Sequence, residues 1–338
     1  MADVLKTSGR SLYDMVKNLD ADGNTVKTAE ILQKDCPMLQ DAPVVFANNV
    51  LTHKVSVRTS LPKPEIKRLN QGVGGAFGAR DTKEFGMKLY QSLPWIDKME
   101  FRFAKDANEV RQSNMEGILQ GWAQGIEQDF LYDSVATYGA DSINGIATFA
   151  NKVDGKRVFD ASEGTATSAQ VYTSIYLVAW DAMNGAFAIA PENGTAGVSF
   201  QVLGDTIIGD ELNPGKRLEV EQYKVESSLG LGVVDPRAIA RIANIKTSEI
   251  ADTTKDGYKK LPVMLMRALS QFPANLRDKV VIYMPKEADL ALQLAANDKS
   301  NASFVYGSGE LFASRVPTFN GTPIRVSEMI LTNEEKVA

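Results

Sequence analysis

The chain has 338 residues, 44% hydrophobic and 23% charged, with a formal net charge of −5, which excludes a disordered or fibrous chain and leaves enough polypeptide for about two domains. Net acidity argues against strong non-specific nucleic-acid binding, which depends on Lys and Arg displacing counterions from phosphates. One cysteine, Cys36, and one histidine, His53, exclude an intrachain disulfide, every Cys/His zinc pattern and any two-imidazole site, and fit a reducing compartment.

The first fifty residues read as an arm. Leu12, Met15, Val16 and Leu19 keep helical spacing until Asp20-Ala-Asp22-Gly23-Asn24 breaks it, and Asp3, Lys6, Arg10, Asp14 and Lys17 deny the segment a signal peptide's apolar stretch. Thr28 to Gln33 is a second short helix stopped by Pro37. No run of about 18 apolar residues occurs, so no membrane span is expected.

From Leu51 the period becomes two. Val55, Val57 and Thr59 alternate with Lys54, Ser56 and Arg58, and Phe85, Met87 and Leu89 alternate with Glu84, Gly86, Lys88 and Tyr90, which predicts a two-stranded ribbon. The connection, Leu61 to Lys83, holds Pro62, Pro64, Gly72, Gly74, Gly75 and Gly78 and far exceeds an ordinary hairpin loop. Two strands alone are marginal in water, so the ribbon's apolar side is expected to lie on another copy of the chain. Residues 104 to 133 read as one helix of about 45 Å, with Met115, Ile118, Leu119, Trp122, Ile126 and Phe130 as its apolar stripe. Gly117, Gly121 and Gly125 form a strip that costs about 1 kcal/mol per glycine against alanine, so a close-packed neighbour is expected there.

Beyond Ser134 strands dominate. Val171 to Trp180 is rich in β-branched and aromatic residues, and Asn184-Gly185 signals a hairpin into Ala186 to Ile189. Leu218 to Val234 is a long strand region in which Gly230 and Gly232 mark bulges or close approaches, and Ala238 to Ile245 closes it. After a boundary near Thr253 to Gly257, the pattern gives a helix over Leu261 to Phe272, a buried strand Val280 to Met284, a helix Lys286 to Ala296 and a last strand Pro323 to Val326. The polar end from Asn333 to Ala338 is expected to fray.

No catalytic or cofactor constellation emerges. Gly72 to Gly78 matches a dinucleotide loop only loosely, with the third glycine misplaced and no βαβ unit around it. Asp20-Ala-Asp22-Gly23 brings its glycine two residues early for a calcium loop, and Gly307-Ser308-Gly309 lacks the flanking spacing of a nucleophile elbow. Glu127 and Asp129 read as a solvated helix face. The most polarised segment is Lys54, Arg58, Lys63, Lys67 and Arg68, opposed only by Glu65 and without the interleaved aromatics that base stacking needs. It reads as a solvated or partner-facing strip, and with the loop it makes Arg58, Pro62, Pro64, Lys67, Arg68, Gly72, Gly74 and Gly75 the candidate subunit-interface residues.

Several dispersed segments resemble the major capsid proteins of short-tailed and related tailed bacteriophages. They are Asp20-Ala-Asp22-Gly23, Ala29 to Leu32, Pro37 to Pro43, Arg58-Thr59-Ser60-Leu61-Pro62, Leu69 to Val73, Thr173 to Trp180, Gly230 to Asp235 and Arg241 to Ile245. The resemblance covers about residues 20 to 330. It implies an α+β fold of the Hong Kong 97 type, with an N-terminal arm at 1–50, an extended loop at 51–101, a mainly peripheral domain with its spine helix at 102–250, and a mainly axial domain from 251 to 338. Some members resemble a permuted version of this fold. The resemblance further implies no enzyme activity and no cofactor, and self-association into hexamers and pentamers of an icosahedral shell around double-stranded DNA held without sequence-specific binding. Scaffolding, portal and cement proteins are the implied partners, and the virion, assembled in the host bacterial cytoplasm, is the implied location. An encapsulin-type cage of the same fold and a carboxylate-based enzyme are the alternatives, which electron microscopy of the purified protein separates.

Overall fold

The computed structural model describes residues 36–75, 77–104, 106–165, 167, 171–191, 198–209, 215–250, 257–297 and 318–338. The arm helices expected before Gln33, the Asp20–Gly23 and Gly307–Gly309 motifs and most of the expected 253–257 boundary lie outside these residues.

In chain order the elements begin with a short helix α1 (Met38–Asp41) and strand β1 (Val44–Phe46), followed by the ribbon strands β2 (Thr52–Arg58) and β3 (Arg80–Ser92). Strand β4 (Trp95–Asp97) then leads into α2 (Lys98–Phe103), where the Asp97 side chain caps the Met99 N–H. The long helix α3 (Ala107–Tyr132) is about 39 Å at about 1.5 Å per residue. It begins where the Asp106 carboxylate accepts the Asn108 N–H at 2.8 Å. Strands β5 (Val158–Asp160), β6 (Tyr172–Ala179), β7 (Ala186–Ala190), β8 (Ser199–Gly209), β9 (Arg217–Val233) and β10 (Ile239–Lys246) follow, then α4 (Gly257–Ser270), β11 (Val280–Met284), α5 (Lys286–Asn297), β12 (Thr318–Phe319) and β13 (Thr322–Val326).

The chain folds as two compact units. The first combines 89–126 with 197–228 among the described residues. Its sheet is centred on β9, which pairs antiparallel with β8 from Ser199↔Glu226 to Gly209↔Arg217 and with β4 at Trp95↔Gln222. Ile96, Val110 and Tyr223 form its small buried cluster, with Phe101 against it. Arg111 of α3 clamps Glu221 with two hydrogen bonds, at 2.9 and 3.2 Å, while its guanidinium lies 4.8 Å from the Phe101 ring centre. Burial alone would raise the Glu221 carboxyl, but Arg111 and the Tyr223 hydroxyl outweigh it and hold it below the usual range. Burial pushes Tyr223 up to about 12. Trp122, expected at the centre of a buried stripe, is only half-buried, its ring 6.3 Å from that of Tyr90. Strand β8 had no separate signal in the sequence, because its alternation is spread over exposed apolar and polar positions alike.

The second unit holds 36–88, 127–191 and 229–338 among the described residues. One sheet runs β1-β7-β9-β3-β2 and the other β12-β13-β11-β6-β10-β5. Strand β6 is buried at every position, which explains its unbroken apolar and small-residue run: both faces are covered. On one face Leu261, Leu265 and Ala268 of α4 and Ala288, Ala291 and Leu292 of α5 meet Ile175, Leu177, Ile242 and Ile282. Strands from either side of residue 250 share this sheet, since β10 and β11 both pair with β6. Gly230 and Gly232 are close approaches as expected: a Cβ on Gly230 would sit 2.5 Å from the Gly86 carbonyl oxygen, and one on Gly232 would meet the Phe187 ring at 2.6 Å.

Three expectations are corrected in this unit. Asn184-Gly185 does not close a β6–β7 hairpin. The two strands enter different sheets, and the turn is closed by Gly185 N–H to the Asp181 carbonyl and Asp181 N–H to the Ala186 carbonyl. The end of the chain is anchored rather than frayed, because a carboxylate in it finds a buried cation. Glu334 accepts Arg241 Nη2 at 2.8 Å, Tyr132 Oη at 2.5 Å and Tyr176 Oη at 3.1 Å, with the Ser174 hydroxyl on the same carboxylate. Asn244 holds Val337 through two hydrogen bonds of 2.8 and 3.0 Å. Glu127, read as solvated, is fully buried.

Candidate assembly surface

The ribbon is formed as the alternation predicted, with β2 and β3 antiparallel from Thr52↔Gly86 to Arg58↔Arg80. Its inward face packs on its own chain. Val55, Val57, Phe85 and Met87 lie against Phe187, Ile189 and Val234, and Lys83 Nζ donates to the Val234 carbonyl at 2.7 Å. This corrects the expectation that another copy covers the ribbon, and the reason is that the β7–β9 sheet supplies an apolar face for it. The alternation reverses after Met87. Lys88 turns inward to Asp129 at 2.8 Å and Asp133 at 2.9 Å, and Leu89 is exposed.

What the ribbon carries is different. Beyond Arg58 and Arg80 the ladder persists only through Thr59 N–H and Ser60 N–H to the Ala79 carbonyl and Ala79 N–H to Ser60 Oγ. The connection is therefore residues 59–79, shorter than expected because β3 starts at Arg80. Two limbs of about ten residues at about 3.3 Å each reach up to about 30 Å past the ribbon. A turn closed by Gln71 N–H to the Arg68 carbonyl, with Asn70 in the left-handed region at φ 61°, forms the tip. Gly74 N–H donates to Glu65 Oε2 at 3.1 Å across the limbs.

Every candidate interface residue lies on this feature and is exposed: Arg58 at the end of β2, Pro62 and Pro64 on the outgoing limb, Lys67 and Arg68 at the tip, and Gly72, Gly74 and Gly75 on the return. Lys54 is apart from them, paired across the ribbon with Glu84 at 3.5 Å. The charge that remains is net positive, since Arg58, Lys63, Lys67, Arg68 and Arg80 are opposed only by Glu65 and Asp81 lies just beyond, between positions 58 and 80. The loop's large apolar side chains are further candidates that periodicity does not reveal. Leu61 is 70% exposed, Ile66 95%, Leu69 92% and Phe77 91%. They follow no period, and a signal was available only in their density within a Pro- and Gly-rich stretch that no core can use. Large apolar groups turned to solvent in such number on one loop mark an interaction surface.

The glycine strip of α3 is open. A Cβ on Gly117, Gly121 or Gly125 meets nothing within 4 Å among the described residues, so none of these supplies the expected close packing.

The Arg241–Glu334 cluster has the residue types of an active site but a closed geometry. The side chains are 7% and 5% exposed, and Arg241 spends its remaining donors on Ser174 Oγ at 3.0 Å and the Ala150 carbonyl at 3.1 Å. Burial, reinforced by the neighbouring carboxylate, holds the Tyr132 hydroxyl far above its ordinary value. With its acceptors taken by protein donors, this group locks the chain's last residues to β6 and β10. Among the described residues no group of acidic, His or Cys side chains has metal-binding geometry, and no helix is long and apolar enough to cross a membrane.

Comparison with known proteins supplies the context. A family model described as "Major capsid protein GP7" matches residues 20–338. The structure of bacteriophage Epsilon15 is similar at 22% identity and a TM-score of 0.71, over 100% of this chain and 99% of that one. The bacteriophage JBD30 capsid is similar at 13% identity and a TM-score of 0.46, covering 96% of each chain. The SrpI encapsulin of Synechococcus elongatus PCC 7942 is similar at 9% identity and a TM-score of 0.44, over 71% of this chain and 97% of that one. No match was found among curated proteins.

Proposed function

The chain belongs to the major capsid protein GP7 family, and on that premise we propose that residues 59–79 are the arm by which each subunit grips a neighbouring copy in the shell. The protein is a shell-forming structural protein with the Hong Kong 97-type α+β fold. The observation that carries the proposal is the set of exposed large apolar side chains Leu61, Ile66, Leu69 and Phe77 on a loop of net positive charge. Burying each such side chain is worth about 1.5–3 kcal/mol, so a docked loop gains about 6–12 kcal/mol before the entropy of ordering it is subtracted. In the same reading Arg58, Lys67 and Arg68 set the orientation of the contact, and Pro62 and Pro64 stiffen the outgoing limb.

The finer assignments belong to the same proposal. Residues 1–50 act as the arm, 51–101 as the loop, 102–250 mainly as the peripheral domain and 251–338 mainly as the axial domain, with the six-stranded sheet drawing on both of the last two. The shell is built from hexamers and pentamers in the host bacterial cytoplasm, encloses DNA without reading its sequence, and works with scaffolding, portal and cement proteins. No catalytic activity is assigned.

The test is the triple substitution Ile66→Ser, Leu69→Ser, Phe77→Ser. Circular dichroism and the melting curve of the dispersed subunit should match wild type, because none of the three contributes to the subunit's buried clusters, while sedimentation should show shells replaced by small species. Full-sized shells from the triple variant would overturn the proposal.

A further inference from the structure

Glu127 is fully enclosed, and its cover is a piece of chain from far away in sequence. Its Oε2 accepts the Met38 N–H at 3.0 Å, its Oε1 meets Ser327 Oγ at 2.6 Å, and the Leu39 N–H also reaches the carboxylate. Met38 and Leu39 open α1, which ends at Asp41. Asp41 in turn accepts Tyr283 Oη at 2.8 Å and Arg325 Nη2 at 3.3 Å. Among the described residues Asp41 from α1 and Tyr283 from β11 are ionisable groups that act on or respond to Glu127, and Arg325 of β13 sits on Asp41.

We propose that Glu127 is a protonation-operated latch on residues 37–42. In the closed state the neutral carboxyl fits its partners: the oxygen without the proton accepts from a donor, the Met38 N–H or the Ser327 hydroxyl, and the acid O–H takes the place of a charge that burial would penalise. When the proton leaves to solvent, an anion remains under α1 beside the like-charged Asp41. A buried carboxylate without its own cation is costly, and lifting α1 admits water to it. Burial, helped by the Asp41 charge and only partly offset by Ser327 and the two backbone N–H groups, pushes Glu127 from 4.5 to about 7. The sign follows: the closed state binds the proton more tightly, so closure is fullest at low pH and weakens as pH rises from about 4.5 to about 7. Each unit of that window changes the opening equilibrium about tenfold, or about 300-fold across it.

Hydrogen exchange on the full-length chain, read by mass spectrometry on a peptide covering residues 37–42 and corrected for the intrinsic pH dependence of exchange, tests this. Protection in wild type should fall by about 100-fold or more between pH 4.5 and pH 8. Glu127→Gln, whose amide mimics the neutral acid, should remove the step, and Asp41→Asn should keep it but move it to lower pH. A wild-type profile that is flat, which needs no variant to fold, would overturn the latch. So would a step retained by Glu127→Gln, or one abolished by Asp41→Asn alone, since Asp41 would then be the titrating group.

Discussion

Replacing Glu334 by Gln leaves the shape of the buried lock nearly intact and removes its negative charge. Arg241 then keeps Ser174 Oγ, the Ala150 carbonyl and the Tyr176 ring, 5.1 Å from its guanidinium carbon, but nothing compensates its cation. With side-chain exposures of 7% and 5%, solvent screens the pair little. Breaking a buried pair by removing one partner costs about 3–5 kcal/mol, and because the amide still accepts one hydrogen bond the lower end, about 3 kcal/mol, is expected. In urea unfolding a slope of roughly 3 kcal/mol per M converts this into a midpoint about 1 M lower. The double variant Glu334→Gln, Arg241→Met removes the stranded cation along with its partner and should recover part of the loss. A Glu334→Gln midpoint within about 0.3 M of wild type would refute the reasoning, and so would a double variant less stable than the single one. The first result would mean that water reaches Arg241, the second that its hydrogen bonds outweigh its unpaired charge.

Gly230→Ala should lower the melting temperature, since the new Cβ meets the Gly86 backbone carbonyl at 2.5 Å and overpacking of this kind costs about 1–3 kcal/mol; a melting point equal to wild type would show that β3 and β9 separate freely. Gly121→Ala should instead stabilise the dispersed subunit by about 1 kcal/mol, because its Cβ enters open space. A lower melting point would contradict the open strip. If the same variant melts higher yet yields fewer shells by sedimentation, the strip receives a neighbour in the assembly.

Much of the local structure was legible in the chain itself. Alternation located the ribbon strands, the β-branched and aromatic run located β6, and Val280 to Met284 and Lys286 to Ala296 appeared within a residue of β11 and α5. These succeed because period and propensity are local properties, decided by which face of one element must leave water. The exposed loop was legible for the same reason: prolines, glycines and an excess of cations do not build a core, so residues 59–79 lie on the surface.

What covers a face is a property of two distant segments, and there the sequence was silent. Nothing in the ribbon says that Phe187 and Ile189 wait for Phe85 and Val55, so alternation alone does not tell a partner in the same chain from a neighbouring copy. Asn184-Gly185 has turn chemistry, but the partners of β6 and β7 are chosen by strands 41 or more residues away. The polar chain end looks like solvent-facing sequence because Glu334 is polar. Only Arg241, 93 residues earlier, makes burial of that carboxylate tolerable. Glu127 repeats the point, its neighbours Met38 and Ser327 lying 89 and 200 positions away. A charged residue's place is settled by the desolvation it suffers and the partner that offsets it, and both come from tertiary packing.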